Sequence, residues 1–326
     1  MTSTATFESR LYQFEIVRRL DRWLYAMPHP PMVVEVAPQY VAAAREGSIR
    51  GRLDGVAVEP LPAGSVMPSP VETNVTQPDA VRSALRKVFN HLPARGATVA
   101  LVVPDPVVRL FILPFDNLPR RNSEALPLLK WRLKKSVPFD MDETVLSWMR
   151  QGGREGNLEI VAAVARQRII REYEQILESL EARAGVVLSS TLAALPLLEE
   201  RGAAMVARLT GKTLTTVVVH DSSLCVYRST DMPAEAHLLD PQSMLDEVFP
   251  AVAYYQDTWG TLIDRAWLSG FGEREQEFCN ALNGELKVSV GSMTDAQGGR
   301  DLDPGARDLL RHGLDAVAGW MMTRTS

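Results

Sequence analysis

The order of the predicted elements is the feature that most constrains the fold of this 326-residue chain. Three short apolar runs bounded by turn residues begin at residue 32, and the same arrangement returns at residue 205. Helices and strands then alternate in each half, which indicates an α/β protein built from two related halves. The predicted strands are 32–36, 40–44, 56–58, 99–103, 107–113, 145–149, 158–165, 186–188, 205–209, 213–219, 224–228, 265–269 and 287–290. The predicted helices are 7–27, 79–92, 120–135, 167–184, 190–201, 241–258, 273–282 and 308–322.

The stretch 98–148 carries a pattern of its own within the first half. Two apolar runs separated by a Pro-Asp-Pro turn predict two strands, and a helix over 120–135 follows. Pro138 ends that helix, because the residue before a proline disfavours the helical conformation. We interpret the acidic cluster Asp140, Asp142 and Glu143 as a solvated loop, with paired catalytic carboxylates as the alternative.

Composition excludes several classes of function. A net charge of -5 argues against nonspecific binding to nucleic acid, which requires a basic face. The two cysteines, Cys225 and Cys279, are far apart, and the five histidines lack the spacing of metal ligands, so we predict no metal site. No apolar run reaches the ~18 residues that cross a bilayer. We therefore predict a cytoplasmic protein without a signal peptide or a transmembrane segment of its own.

Four segments carry a resemblance to a known family. The first segment, 107–114, is a strand that ends in Leu-Pro. The second is WRLKKSVPFDMDE at 131–143, and the third is the helix–strand–helix unit at 166–195. The fourth is VAYYQDTWGTLIDRAWLSGFG at 252–272, with paired tyrosines ahead of a Leu-Ser-Gly turn. In their order and spacing these segments resemble the PilM-type pilus assembly proteins, which are relatives of the cell-division protein FtsA with an actin-like ATPase architecture.

The resemblance implies an actin-like (ribonuclease H-like) two-domain α/β fold with a small inserted α/β subdomain. It also implies a cytoplasmic scaffold that is peripheral to the inner membrane and binds the cytoplasmic tail of a PilN-like inner-membrane protein. Pilus motor ATPases and a second copy of the chain are further possible partners. The implied divisions are an N-terminal helix extension (1–31), the first domain (32–103 and 166–203), the inserted subdomain (104–165), the second domain (204–305) and a returning C-terminal helix (306–326).

The phosphate-binding turns expected of an actin-like ATPase depart from the pattern. Each should be Asp-x-Gly-like, because glycine lets backbone N–H groups approach the anion. The first turn should follow Glu35, where Ala37 replaces the glycine and Pro38 lacks a backbone donor. The second is expected at 217–227, where Asp221 precedes two serines. We predict no catalytic residue and no cofactor, and Mg-ATP binding by an active ATPase is the alternative. The residues of this degenerate nucleotide site are Glu35, Asp221, Gly270 and Gly272.

Gly211-Lys212-Thr213 invites comparison with a P-loop, but Lys212 lies between two predicted strands and does not open a helix. We interpret it as the tip of a hairpin.

Partner binding is the function that we predict for the stretch 98–148 and its basic helix. Aromatic and arginine side chains dominate the energy of many interfaces, and an exposed strand can accept a peptide by edge addition. The predicted contact residues are Arg109, Phe111, Phe115, Trp131 and Phe139. The basic residues of the helix are either a solvated face or a surface for an acidic partner or anionic lipid headgroups. A cytoplasmic L-type component of a type II secretion system is a further alternative function.

Overall fold

We describe a computed structural model of the chain over residues 29–47, 53–153, 157–198, 201–296 and 304–323. The helix predicted over 7–27 lies outside these residues. The strands are β1 Met32–Val36, β2 Tyr40–Glu46, β3 Leu53–Pro60, β4 Thr98–Val103, β5 Arg109–Phe115, β6 Thr144–Gly152, β7 Leu158–Arg166, β8 Arg183–Ser189, β9 Ala203–Thr210, β10 Thr213–His220, β11 Ser223–Asp231, β12 Arg265–Ser269 and β13 Ser289–Ser292. The helices are α1 Pro78–His91, α2 Asn122–Leu133, α3 Gln167–Glu178, α4 Ser190–Ala194, α5 Pro241–Trp259, α6 Glu275–Leu286, α7 Pro304–Arg311 and α8 Asp315–Met322.

Two five-stranded sheets have the same topology. The first has the order β3-β2-β1-β4-β8 and the second the order β11-β10-β9-β12-β13. In each sheet the first three strands form an antiparallel meander, and the last two run parallel to the first strand. All five residues of β1 are buried, because a central strand of such a sheet is covered on both faces. The prediction of two related halves is therefore confirmed.

Helices cover the outer face of each five-stranded sheet. On the first sheet, α3 buries Ile169, Tyr173 and Ile176, which recur at the three- and four-residue spacing of one helix face. Helix α1 begins with Pro78, which is tolerated there because the first helical N–H groups have no partner within the helix. Helices α5 and α6 cover the second sheet in the same way.

A three-stranded antiparallel sheet, in the order β5-β7-β6, lies between β4 and β8 in the sequence. Helix α2 covers one face through Leu129 and Leu133. The other face joins a central core that also contains residues of both five-stranded sheets. The side chain of Gln151 in β6 donates to the backbone oxygen of Leu224 at 2.7 Å and accepts from its N–H at 3.1 Å. This buried pair of hydrogen bonds fixes the small sheet against β11.

The C-terminal helix α8 lies in the central core. It packs on α4 and on β1, and Trp320 is fully buried there. Gly319 allows the close crossing with α4, because a Cβ atom at this position would lie 2.2 Å from the carbonyl oxygen of Ala193. His29 stacks on the indole of Trp320 with the ring centres 4.2 Å apart.

Several predicted boundaries were wrong, and turn residues explain most of the differences. The helix predicted over 308–322 is two helices, because Gly313 adopts a left-handed backbone (φ 72°) between α7 and α8. The helix predicted over 167–184 ends at Glu178, and Glu181 is also left-handed (φ 61°). The helix predicted over 190–201 is the short α4 followed by a 3-10 turn at Leu195–Leu197. Within the described residues, no helix is long and apolar enough to span a membrane.

Candidate functional site

A cleft of about 630 Å³ opens where the first turns of the two five-stranded sheets face each other. Glu35 and Tyr40 line it from the first sheet. The second sheet contributes Arg208, at the end of β9, and Gly211, in the turn that follows. The turn after β12 completes the wall with residues 269–274.

Glu35 is a buried carboxyl at the floor of this cleft. It lies in β1, is 1% exposed, and accepts a hydrogen bond from the Tyr40 hydroxyl at 3.2 Å. Burial raises its pKa to about 7, which the Arg208 charge opposes and the Asp315 charge reinforces. Burial therefore favours the neutral form of this carboxyl at the floor of the cleft.

A buried ion pair fills the second-sheet side of the floor. The Arg208 guanidinium pairs with Asp315, the first residue of α8. The same carboxylate accepts from Ser269 Oγ at 2.8 Å and from the Ala316 N–H at 3.0 Å. The Nε atom of Arg208 is buried and has no hydrogen-bond partner among the described residues. The pair ties α8, which packs against the first sheet, to the end of β9.

A third buried carboxyl group, that of Asp105, fixes the chain where it leaves β4. It lies in a 3-10 turn and accepts from Thr191 N at 2.8 Å and from Thr191 Oγ1 at 2.5 Å. These bonds tie the end of β4 to the start of α4. They also set the direction in which the chain enters β5.

The two turns that face each other across the cleft are not alike. The turn between β1 and β2 contains Ala37 and Pro38, so it has no glycine and lacks one backbone donor. The turn between β9 and β10 is a two-residue hairpin with Gly211 in the left-handed region (φ 59°). Because β9 holds the place in its sheet that β1 holds in the first, these two turns are equivalent. The hairpin predicted at Gly211-Lys212 is present, and it belongs to the cleft.

Asp221 is not brought together with Glu35, Gly270 and Gly272. It lies in the turn between β10 and β11, where its carboxylate accepts from the Gly202 N–H at 2.9 Å. That contact is at the start of β9, whereas the cleft is at its other end, about 25 Å away for a strand of this length. The segment 217–227 therefore does not form the cleft turn of the second sheet.

The two glycines of the turn after β12 have different physical roles. Gly270 has φ 85°, and a Cβ atom there would lie 2.0 Å from the carbonyl oxygen of Leu209. The close approach of two backbone segments therefore accounts for this glycine, and no bound ligand is needed to explain it. Gly272 has φ 60° and open space around it, so only its backbone conformation favours glycine.

The buried carboxyls at the floor of the cleft do not fit the magnesium ion of a magnesium–nucleotide complex. Mg²⁺ takes carboxylate oxygens that are free to coordinate. The Glu35 carboxyl has a raised pKa. The Asp315 carboxylate already binds Arg208, Ser269 and a backbone N–H. Among the described residues, no group of three or more His, Cys, Asp or Glu side chains could hold a metal ion. The glycine turns on the second-sheet side could accept an anion, but the first-sheet side is not built for one.

The five residues predicted to contact a partner fall into three environments. Phe111, Phe115 and Phe139 are partly buried and pack in the core between the small sheet and α2. Trp131 is 76% exposed on the outer side of α2. Arg109, at the start of β5, lines a groove and has a buried Nε atom without a hydrogen-bond partner among the described residues.

This groove has a volume of about 320 Å³ and lies beside the connection from the first sheet to β5. The loop 68–71 forms one wall, and the 3-10 turn at Asp105 and the start of β5 form the next. Thr213 and Asp231, from the ends of β10 and β11, close the third side. The groove therefore lies between connecting segments of the first sheet, the small sheet and the second sheet.

The sequence interpretation missed Tyr40, Arg208 and Gly211 as members of the cleft, and Asp315 as the partner of Arg208. One signal was available for Gly211, since the first turn of each meander should occupy the same place in two related halves. No local signal pairs Arg208 with Asp315, because 107 residues separate them.

The fold defines the class of protein to which the chain is similar. It aligns with a chain of a PilM–PilN type IV pilus biogenesis complex over 91% of its own length and 99% of that chain, with a TM-score of 0.73 and 17% identity. It also aligns with a Bacteroides thetaiotaomicron protein described as having an actin-like ATPase fold and unknown function, over 90% and 97% of the two chains, with a TM-score of 0.50 and 10% identity. No protein-family model and no curated protein matches the sequence. The actin-like fold that the resemblance implied is therefore confirmed.

Proposed function

We propose that this protein is a cytoplasmic scaffold of a type IV pilus, or related secretion, assembly platform at the inner membrane. In this role it binds the cytoplasmic tail of a PilN-like membrane protein and is held at the membrane through that partner. The observation that carries the proposal is the alignment over nearly the whole of both chains with a member of a PilM–PilN complex. The engaged or protonated carboxyls at the cleft floor support a scaffold over an ATPase.

The groove beside β5 is the tail-binding site that we propose. It has the buried, unpartnered Nε atom of Arg109, which a backbone carbonyl or a carboxylate of the tail would satisfy. In this proposal Phe111, Phe115 and Phe139 do not contact the tail, unlike the sequence-based prediction, and instead pack in the core beside the strand that bears Arg109. Direct contact with the tail then rests on Arg109 and on the backbone around it.

Peptide binding tests this proposal directly. A fluorescent peptide with the cytoplasmic tail of the PilN-like protein is titrated with the full chain, and anisotropy is recorded. We expect binding, and we expect Arg109→Ala to weaken it at least about tenfold, because arginines in desolvated pockets are frequent hot spots. Arg86→Ala, an exposed arginine on α1, is the matched control.

Thermal unfolding of both variants must show that the fold is intact. Absence of binding by the wild-type chain at tens of micromolar would contradict the proposed function. Equal affinity of Arg109→Ala and wild type would move the tail to another site.

Nucleotide binding is the second candidate, and the glycine turns at Gly211 and Gly272 are the observation that favours it. It is tested by thermal unfolding with millimolar Mg-ATP. We expect no shift of the melting temperature, because the first-sheet turn offers neither a glycine nor an unengaged carboxylate. A clear upward shift would restore the ATPase alternative.

A further inference from the structure

Helix α2 presents a tryptophan to solvent on the side opposite its own core. Ala125, Leu129 and Leu133 are buried at four-residue spacing and define the inner side. At about 100° per residue, Trp131 lies some 160° from both Leu129 and Leu133 around the helix axis. Its side chain is 76% exposed, and the neighbouring Leu128 is 44% exposed. Packing within the subdomain therefore does not account for this pair of apolar residues.

Three cations surround the exposed tryptophan. Arg132, Lys134 and Lys135 are all exposed at the last turn of α2 and just beyond it. None of them forms an ion pair or a side-chain hydrogen bond with another described residue. We refer to Leu128, Trp131, Arg132, Lys134 and Lys135 as the tryptophan patch.

Two of the three nearby acids form ion pairs with other cations. Asp142 pairs with Lys130 at 3.4 Å, and Glu143 pairs with Arg166 at 2.8 Å. Asp140 accepts from the backbone N–H of Asp142 at 3.0 Å. The tryptophan patch is thus locally cationic on a chain whose net charge is -5. The patch therefore presents positive charge to solvent.

We propose that the tryptophan patch contacts the headgroup region of a bilayer that contains anionic phospholipid. Tryptophan is enriched at the membrane–water interface, because its ring is apolar and its N–H can donate a hydrogen bond to water. Lysine and arginine clusters next to such a residue are attracted to anionic headgroups. The patch is the outer side of a helix and offers no groove, and lysine is depleted in protein–protein interfaces. These features favour a lipid surface over an acidic protein as the occupant.

This contact goes beyond the proposed tail binding and does not depend on it. The tail would tether the protein through the groove at Arg109, whereas the tryptophan patch would touch the bilayer itself. Together they would fix an orientation that a flexible tether alone leaves free. Vesicles without any partner protein test the second contact separately.

The test is co-sedimentation of the full chain with vesicles of phosphatidylcholine alone or mixed with phosphatidylglycerol. We expect binding only to the mixed vesicles, with affinity that falls as salt concentration rises. Trp131→Ala and the double variant Lys134→Glu/Lys135→Glu should each weaken binding at least about tenfold. The matched controls are Tyr254→Ala, an aromatic residue 58% exposed on α5, and Arg86→Glu/Arg183→Glu, with the same change of charge at exposed sites. Both controls should bind as the wild type does.

Brominated lipid provides a second readout, because it quenches a tryptophan that reaches the headgroup region. We expect quenching in the wild type that is lost in Trp131→Phe. Failure of the wild type to bind the mixed vesicles would overturn the proposal and leave an acidic protein as the occupant of the patch. Wild-type affinity in Trp131→Ala would overturn it as well, because the bilayer contact would then lie elsewhere.

Discussion

Replacement of Glu35 by glutamine should change how stability depends on pH. The pKa of this carboxyl rises from its ordinary 4.5 to about 7 in the folded chain, chiefly by burial. The folded state therefore holds an extra proton between these two values, and stability falls as pH rises through that window. The full effect corresponds to about 3 kcal/mol of unfolding free energy. Glutamine stays neutral and keeps an oxygen that can accept from Tyr40, so Glu35→Gln should not show this loss.

The groups around Glu35 determine the size of the effect. The Arg208 charge favours the ionised carboxyl, whereas Asp315 and Asp105 disfavour it. Tyr40 donates to it at 3.2 Å and also favours the ionised form. Burial exceeds these opposing contributions, so the net direction is upward. Between about pH 5.5 and about pH 8.5, the advantage of Glu35→Gln over wild type should grow by about 2 kcal/mol.

Urea unfolding of both proteins at several pH values measures this difference. The free energy of unfolding is extrapolated to water at each pH, and the difference between variant and wild type is plotted. Glu273→Gln, an exposed acid at the rim of the same cleft, is the control and should give a flat difference. A flat difference for Glu35→Gln would refute the reasoning, because it would mean that the buried carboxyl has the same pKa in both states.

Two further substitutions test how the halves are joined. Gly319→Ala should destabilise the protein by about 1–3 kcal/mol, because its Cβ would lie 2.2 Å from the Ala193 oxygen. Gly284→Ala, in a helix with open space around it, should instead stabilise by about 0.5–1 kcal/mol, and thermal unfolding that gave both the same sign would contradict the packing argument. Asp315→Ala should cost about 3–5 kcal/mol in urea unfolding, since Arg208 would stay buried without its partner, and a loss below about 1 kcal/mol would mean that the pair is not buried in solution.

The positions of the strands were predictable from the sequence, because buried strands are locally apolar. The run MVVEV in β1 is almost wholly apolar, as a strand covered on both faces must be. The shorter runs around it, separated by turn residues, predicted both meanders. Helix ends were less predictable. Gly313 can be tolerated in a helix or can end one, and only the packing of α8 in the central core selects the left-handed turn.

The cleft was less predictable, because its charged residues meet only through the fold. Arg208 ends a strand of the second sheet, and Asp315 opens a helix near the C-terminus, so no spacing rule relates them. The prediction of Asp221 depended on its acidity and on the expected position of the second turn at 217–227. Equivalence of the two meanders selects Gly211 instead, since the turn after the first strand must occupy the same place in both halves.

Buried charges beneath the cleft join the two halves of the chain. If Arg208 and Asp315 were exposed to water, their attraction would be weak. Here both are nearly fully buried, and Asp315 also begins the helix that packs against β1 and α4. Separating the halves would expose this helix and the Glu35 carboxyl together. Asp105 lines the groove beside Arg109 and also contributes to the raised pKa of Glu35, so the groove and the cleft floor share one buried charge.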